Sequence, residues 1–262
     1  MFRSLLVILF LALYNGRLVA EEKERFKFIS LRINSSYVEV SEEYDDVYNT
    51  SILLNSEYND WLKIGVEAFY TEWNEKTTGG GLMLGLRLNS KFELFGDFYS
   101  SNEGSDLPKE NYSIGLSYNP GNSYVIKGSY RHLRFRNNQS VQRLTSEWIQ
   151  YFVCEPDYFA TLQLTVMGDY VRPGDDYGYH VNATYAYGRT DDWRIGFGGL
   201  FGHSSYQSLV DLETDQSNDF WGVKIEAGKY IGKNVELGLG LQYTDSQDYE
   251  AVSIQVQTIW RF

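Results

Sequence analysis

A histidine and two serines at positions 203–205 are the residues of this 262-residue chain best placed for nucleophilic chemistry. A serine beside a histidine can act in acyl transfer, because the imidazole accepts the hydroxyl proton. A working site also needs a group that orients His203, and the spacing of the sequence assigns none to it. We therefore predict that the protein is not an enzyme, and a hydrolase that uses His203 with Ser204 or Ser205 is the alternative.

Residues for metal or cofactor chemistry are scarce. Cys154 is the only cysteine, and three histidines with one cysteine are too few for a zinc cluster. The chain contains no nucleophile elbow, no zincin helix motif, no Walker loop and no dinucleotide fingerprint. The glycines at 79–81 precede a strand-like pattern and not the helix that a phosphate-binding loop requires. We predict no cofactor and no metal.

The overall charge excludes one class of partner. The chain has 35 acidic and 23 basic side chains and a formal net charge of -12, whereas a nucleic-acid binder needs a basic face. Acidic residues cluster in the polar segments 42–46, 103–110 and 211–219, without the spacing of an EF-hand. We interpret these clusters as solvated loop charge and predict no nucleic-acid partner.

The first twenty residues differ from the rest of the chain. Arg3 supplies a short positive region, Leu5 to Tyr14 is an unbroken apolar run, and Leu18 to Ala20 forms a cleavage site. The apolar run is too short to span a bilayer comfortably as a helix. We predict that residues 1–20 are a signal peptide, with an uncleaved N-terminal anchor as the alternative.

After residue 20, apolar and polar side chains alternate with a period of two, which indicates strands and not helices. Leu62, Ile64 and Val66 share one face of such a segment, and Lys63 and Glu67 lie on the other. The same alternation recurs in segments 82–89, 160–169, 177–188 and 235–243.

These segments contain about ten residues each, more than the five or six of most soluble strands. A strand tilted by about 45° needs about 9–11 residues to cross the hydrocarbon layer. Aromatic residues such as Trp61 and Trp73 lie near strand ends, at the expected headgroup level. We predict an all-β, transmembrane, antiparallel up-and-down barrel over residues 21–262. A soluble sandwich, with apolar faces packed between two sheets, is the alternative.

The connections predict the number of strands. Six candidate turns, such as 59–60, alternate with seven candidate loops that are more polar and usually longer, such as 100–110 and 204–218. Thirteen connections join fourteen strands, and an even number keeps both termini at the periplasmic end. Alternation is blurred in the first two strands, near 26–40 and 47–55, so twelve is the alternative count.

The end of the chain carries the most specific short pattern. Phe262 is the last residue, and Trp260, Val256, Ile254 and Val252 precede it at even spacing. A terminal strand with this repeat and a final aromatic residue resembles the signal that the barrel assembly machinery reads in outer-membrane β-barrels. We therefore assign Trp260 and Phe262 as a barrel-assembly signal. An ordinary edge strand that ends at a phenylalanine is the alternative.

Three internal segments, 128–135, 158–168 and 185–202, carry a further resemblance together with the aromatic end at 260–262. Their pattern and length are similar to those of the YaiO-type outer-membrane β-barrel family, over about residues 25–262. This resemblance implies a barrel of the cell outer membrane without catalytic residues and, by association only, a tie to polysaccharide export.

Charged residues on the polar strand faces are predicted to point into the barrel, because a Lys or Arg facing lipid costs about 2–4 kcal/mol at the midplane. The candidate lumen charges are Arg87, Glu93, Asp97, Lys127, Arg131, Arg143, Glu147, Asp169, Lys224 and Glu226. Their mixed signs allow either a salt-bridged network that plugs the lumen or opposed walls of a narrow aqueous pore. His132 and His180 are predicted to form hydrogen bonds in the lumen.

Three functions fit these features. A small channel or surface barrel of the outer membrane comes first. A non-conducting structural or adhesive barrel would instead bind a glycan or a partner through its loops. A lipid-modifying hydrolase would use His203 at the loop-side rim, where an acyl chain could reach it. Predicted partners are outer-membrane lipid, lipopolysaccharide and the assembly machinery, and the oligomeric state stays open.

Overall fold

The computed structural model describes residues 26–41, 45–73, 76–102, 107–121, 123–136, 138–155, 157–204, 218–247 and 249–262. The predicted signal peptide, residues 1–20, lies outside these ranges. Within them, no helix has the length and apolarity needed to span a membrane.

Fourteen antiparallel strands form one closed barrel, in which each strand pairs with its neighbours in sequence and the first pairs with the last. The strands are β1 (Phe26–Val40), β2 (Val47–Tyr58), β3 (Leu62–Glu72), β4 (Lys76–Arg87), β5 (Phe92–Ser101), β6 (Glu110–Tyr118), β7 (Tyr124–Arg134), β8 (Ser140–Glu155), β9 (Tyr158–Arg172), β10 (Asp176–Arg189), β11 (Trp193–Ser204), β12 (Asn218–Ile231), β13 (Val235–Ser246) and β14 (Glu250–Arg261). The predicted barrel of fourteen strands is confirmed, and the sandwich and the count of twelve are wrong.

The blurred alternation of the first two strands has a structural cause. Ser35 on β1 and Thr50 on β2 are paired residues on the outer face, and their hydroxyl groups are 3.1 Å apart. Each hydroxyl therefore has a polar partner on a face that is otherwise apolar. The register continues through both strands, with one irregularity between Phe28 and Ser30.

The apolar side chains of the strands lie exposed on the outside of the barrel. Val66 is 54% exposed, Ile114 is 56% exposed and Leu239 is 50% exposed, each in the middle of its strand. Apolar area of this extent, repeated around a closed sheet whose backbone groups are paired, fits lipid and not water. Few apolar side chains are fully buried, and Val141 and Val171 are the largest of them among the described residues.

The connections define two ends of the barrel. The terminal end carries the start of β1, the end of β14 and the links 59–61, 88–91, 119–123, 156–157, 190–192 and 232–234. The loop end carries the links 41–46, 73–75, 102–109, 135–139, 173–175, 205–217 and 247–249.

Three links at the loop end are as short as the turns at the terminal end, so length alone does not separate the two groups. The link after Arg172 contains only residues 173–175. Gly174 and Asp175 adopt positive φ angles of 123° and 57°, which closes this link tightly. Residues 205–217, in the longest link, lie outside the described residues.

An ion pair anchors one turn at the terminal end. Asp192 lies in the turn that precedes β11, and Lys229 on β12 donates a hydrogen bond to its carboxylate. This hydrogen bond lowers the pKa of the Asp192 carboxyl. The pair ties the turn to a strand that follows later in the chain.

Candidate functional site

The polar faces of the strands form the inner wall of the barrel, because side chains two strands apart reach each other there. Lys63 on β3 and Glu93 on β5 are 2.6 Å apart. The intervening residue on β4 is Gly85, where a Cβ atom would lie 3.0 Å from Glu93 and 3.3 Å from Lys63. A larger residue at this position would crowd the ion pair that crosses it.

Opposite charges pair along this wall. The further pairs are Arg87–Glu57 at 3.7 Å, Lys127–Glu147 at 2.7 Å, Arg131–Asp97 at 3.3 Å, Arg194–Glu236 at 3.0 Å and Arg261–Glu236 at 2.9 Å. Each pair joins strands that are adjacent or two apart. The charges therefore brace neighbouring strands within the wall.

The ten candidate lumen charges all lie on this inner face. Lys224 and Glu226 lean over Gly198 and Gly196 of the neighbouring strand, and the other eight have an oppositely charged partner. Their role in a water-filled lumen stays a prediction. Glu57 and Arg261 also lie on the inner face, although the sequence pattern does not single them out. Arg261 could have been found by alternation, because it points to the same side of β14 as Gln255 and Gln257.

A buried charge cluster lies on three consecutive strands, β8 to β10. Asp169 is 3% exposed and accepts two hydrogen bonds from Arg143, at 2.7 and 2.8 Å. Nε2 of His180 lies 3.2 Å from the second carboxylate oxygen of Asp169. The two-pronged guanidinium contact is the geometry that gives charged hydrogen bonds their strength.

An open space, the lumen cavity, extends across the barrel and has a volume of about 450 Å³. Gln255 on β14 and Arg131 on β7 both line it, and these strands are diametrically opposite in a ring of fourteen. Its lining is Asn34, Ser36, Asn49, Thr50, Ser51, Glu67, Phe69, Tyr70, Thr71, Tyr99, Ser100, Leu107, Pro108, Asn111, Arg131 and Gln255. Leu107 and Pro108 belong to the loop end, so the cavity lies toward that end.

Gly81 leaves room for the ring of Tyr99 in the cavity. Tyr99 on β5 is paired with Gly81 on β4, and its ring covers the space that a side chain at position 81 would occupy. The Tyr99 hydroxyl donates a hydrogen bond of 3.0 Å to Glu67 on β3. Ring and carboxylate are therefore held together on one wall of the cavity.

We expect Gly81→Val to move the Tyr99 ring out of place. A Cβ atom at position 81 would lie 2.2 Å from a ring carbon of Tyr99, which is far inside contact distance. Overpacking of this kind costs about 1–3 kcal/mol. The free energy of unfolding in denaturant measures the effect.

Gly128→Val is the matched control, because no atom lies within 4 Å of a Cβ atom built at Gly128. Equal stabilities of the two variants would contradict the packing of Tyr99 on Gly81.

Two histidines lie on the outer face. The prediction that His132 bonds in the lumen is wrong, because its ring stacks on Tyr112 at 5.1 Å on the face opposite Arg131. Arg131 on β7 points into the barrel, and side chains alternate along a strand, so His132 must face outward. His203 stands on the outer face near the loop end and stacks on Tyr179 at 6.3 Å.

The structure supplies a partner for His203 that spacing alone does not reveal. Nδ1 of His203 is 2.8 Å from Oδ1 of Asp219, the residue opposite it on β12. Because a carboxylate only accepts hydrogen bonds, Nδ1 carries the proton in this contact. Ser205 lies outside the described residues.

The proposed assembly signal lies at the terminal end. Trp260 on β14 is paired with Leu31 of β1 and Val235 of β13. Phe262 is 61% exposed, and its amide donates a hydrogen bond of 3.1 Å to the carbonyl of Ile29. Both residues thus belong to the seam that closes the barrel, and their recognition by the assembly machinery stays a prediction.

The described residues contain no group of three or more His, Cys, Asp or Glu side chains that could hold a metal ion. Their polar chemistry is that of paired charges, amides and hydroxyl groups on the inner wall. A closed sheet with an apolar outer belt and this polar interior defines a transmembrane β-barrel of the outer-membrane type.

Solved structures of outer-membrane proteins share this fold. A bacterial polysaccharide outer membrane secretin aligns over 89% of this chain and 98% of its own, with a TM-score of 0.60 and 9% identity. Omp33, an outer membrane protein of Acinetobacter baumannii, aligns over 90% of this chain and 99% of its own, with a TM-score of 0.54 and 10% identity. No family model and no curated protein sequence matches the chain. At these identities the likeness extends to the fold alone.

Proposed function

We propose that this protein resides in the outer membrane and is a narrow diffusion channel for small polar solutes. The observation that carries this proposal is the lumen cavity, which reaches from Gln255 on one wall to Arg131 on the opposite wall. An open polar space across the lumen is what a water-filled path requires.

The pattern of ion pairs argues against a salt-bridged plug. Such a plug would join charges on opposite walls, whereas the pairs within the described ranges join strands adjacent or two apart. Ion pairs between nearby strands do not cross the lumen, so its centre is open to water. The salt-bridged network and the aqueous pore are therefore compatible in this barrel.

Conductance in a planar bilayer tests the channel. The purified, refolded protein is first checked for heat-modifiable migration on a gel, which reports a folded barrel. We expect stepwise current increments that scale with salt concentration. A folded, inserted protein that passes no current at any voltage would support the non-conducting structural or adhesive barrel instead.

A YaiO-type barrel with a role in polysaccharide export is a narrower form of this proposal. The secretin that shares the fold carries polysaccharide in its name, but its 9% identity transfers no substrate to this chain. Support for a sugar ligand must come from the lumen itself.

Hydrolysis of a membrane lipid is the second candidate function, and the contact of His203 with Asp219 on the outer face favours it. An imidazole oriented by a carboxylate is two parts of a hydrolytic site. Ser204 and Ser205 follow His203 in the sequence, and this function would require one of them as the nucleophile.

Fatty-acid release from vesicles of phospholipid and lipopolysaccharide tests the second candidate. A hydrolase releases acyl chains as wild type and loses this activity as His203→Ala. We expect His203→Ala to conduct like wild type, because His203 is outside the lumen. No release by the wild type would discard the candidate.

A further inference from the structure

One wall of the lumen cavity is built from neutral hydrogen-bonding groups. Gln255 on β14, Asn34 and Ser36 on β1, and Asn49 and Ser51 on β2 all line it. Asn34 and Asn49 each donate a hydrogen bond of 3.4 Å to a serine hydroxyl on the neighbouring strand. Amides and hydroxyl groups both donate and accept, so this wall suits a ligand whose own groups do both.

The rest of the lining, on β3 to β7, adds one charge of each sign and aromatic surface. Glu67 and Arg131 contribute one charge of each sign to the cavity lining. A free anion would need a surplus of basic side chains, which the lining does not supply because Arg131 is already paired with Asp97. Tyr99 and Phe69 provide ring surface on which the apolar C–H groups of a sugar can pack.

Asn111 on β6 adds a further side-chain amide to the lining of the cavity. An amide both donates and accepts hydrogen bonds, so it suits the hydroxyl groups of a sugar.

The cavity volume of about 450 Å³ falls within the range of small-molecule sites. We infer that the lumen cavity is a binding site for neutral oligosaccharides, a substrate class that rests on the proposed channel function. Amides and hydroxyl groups on one wall bind the sugar hydroxyl groups, Glu67 and Arg131 bind further ones, and Tyr99 packs on the sugar ring. A neutral sugar crossing the membrane would pause at this site.

Calorimetric titration of the folded protein in detergent with maltotriose tests the inference without requiring conduction. We expect saturable binding that Tyr99→Ala weakens severalfold, since the variant removes the aromatic surface on which the sugar ring packs. Tyr185→Ala is the matched control, because Tyr185 is 45% exposed on the outer face, and its binding should equal that of wild type.

A second variant covers the case in which Tyr99→Ala does not fold. Asn111→Ala removes the side-chain amide of a residue that lines the cavity, and it should fold and bind maltotriose more weakly. Equal binding by this variant and by wild type would overturn the site.

Charged sugars test the ligand class. Oligogalacturonate is an acidic probe, and short chitosan oligomers are a basic one. Tighter binding of either charged sugar than of maltotriose would overturn the inference, and so would the lack of any saturable binding. Binding of maltotriose without conductance would support the binding site and refute the channel. Conductance without binding would support the channel and refute the binding site.

Discussion

Asp169→Asn is expected to destabilise the barrel by about 3 kcal/mol, because breaking a buried ion pair leaves an uncompensated charge behind. The Asp169 side chain is 1% exposed, and the Arg143 side chain is 16% exposed. An amide keeps the shape of the carboxylate but loses its charge and one of the two acceptors that Arg143 uses. Equilibrium unfolding of the refolded protein in urea, followed by heat-modifiable migration, measures the loss.

Asp157→Asn provides the matched control. Its carboxylate lies 3.8 Å from Arg189, but the Asp157 side chain is 68% exposed, and pairs of this kind contribute little. We expect its stability to stay within about 0.5 kcal/mol of wild type. Replacing both Asp169 and Arg143 by neutral residues should restore part of the loss. A stability of Asp169→Asn equal to wild type would refute the buried pair.

Arg131→Glu is expected to turn the channel strongly toward cations. Among the described residues of the cavity lining, Arg131 is the one cationic side chain, and the substitution places a carboxylate there, near Glu67 and the former partner Asp97. The interaction energy between a unit charge and an ion about 7 Å away in water is about 0.6 kcal/mol. The substitution changes the charge at position 131 by two units. After screening by salt, the permeability ratio of cations to anions should rise on the order of tenfold.

The reversal potential under a salt gradient across a planar bilayer measures this ratio. Arg134→Glu is the matched control on the same strand, because Arg134 faces outward near the loop end, where it lies 3.8 Å from Glu110. Its reversal potential should stay near that of wild type. A shift of similar size in both variants would mean that Arg131 does not face the conduction path.

Much of the barrel could be predicted from the sequence, because period-two alternation over about ten residues has few other solutions. The start of β13 at Val235 follows directly from that pattern. The length of the link at 173–175 does not follow from the sequence, since polar composition marks a connection but does not fix how many residues it contains. A pair of positive φ angles at Gly174 and Asp175 closes it in three residues.

The sequence predicts which side chains of the candidate site share the inner face of the barrel. It does not predict which of them contact each other. Parity assigned Asp169 to the inner wall, but its partnership with Arg143 depends on the register between β8 and β9. The contact of His203 with Asp219 likewise depends on the pairing of β11 with β12. The polar residues beside His132 in the sequence indicate the lumen, but its parity on β7 places it on the outer face.

Cysteine accessibility along β13 is the most direct test of the claim that polar faces enclose a water-filled lumen. Single cysteines are placed at Gly238 and Gly240, where a Cβ atom fits without crowding, and at Leu237 and Leu239, in a background without Cys154. A water-soluble, membrane-impermeant thiol reagent is then applied to the protein in its membrane. We expect labelling at positions 238 and 240 and protection at 237 and 239. The reverse pattern, or protection at all four positions, would contradict it.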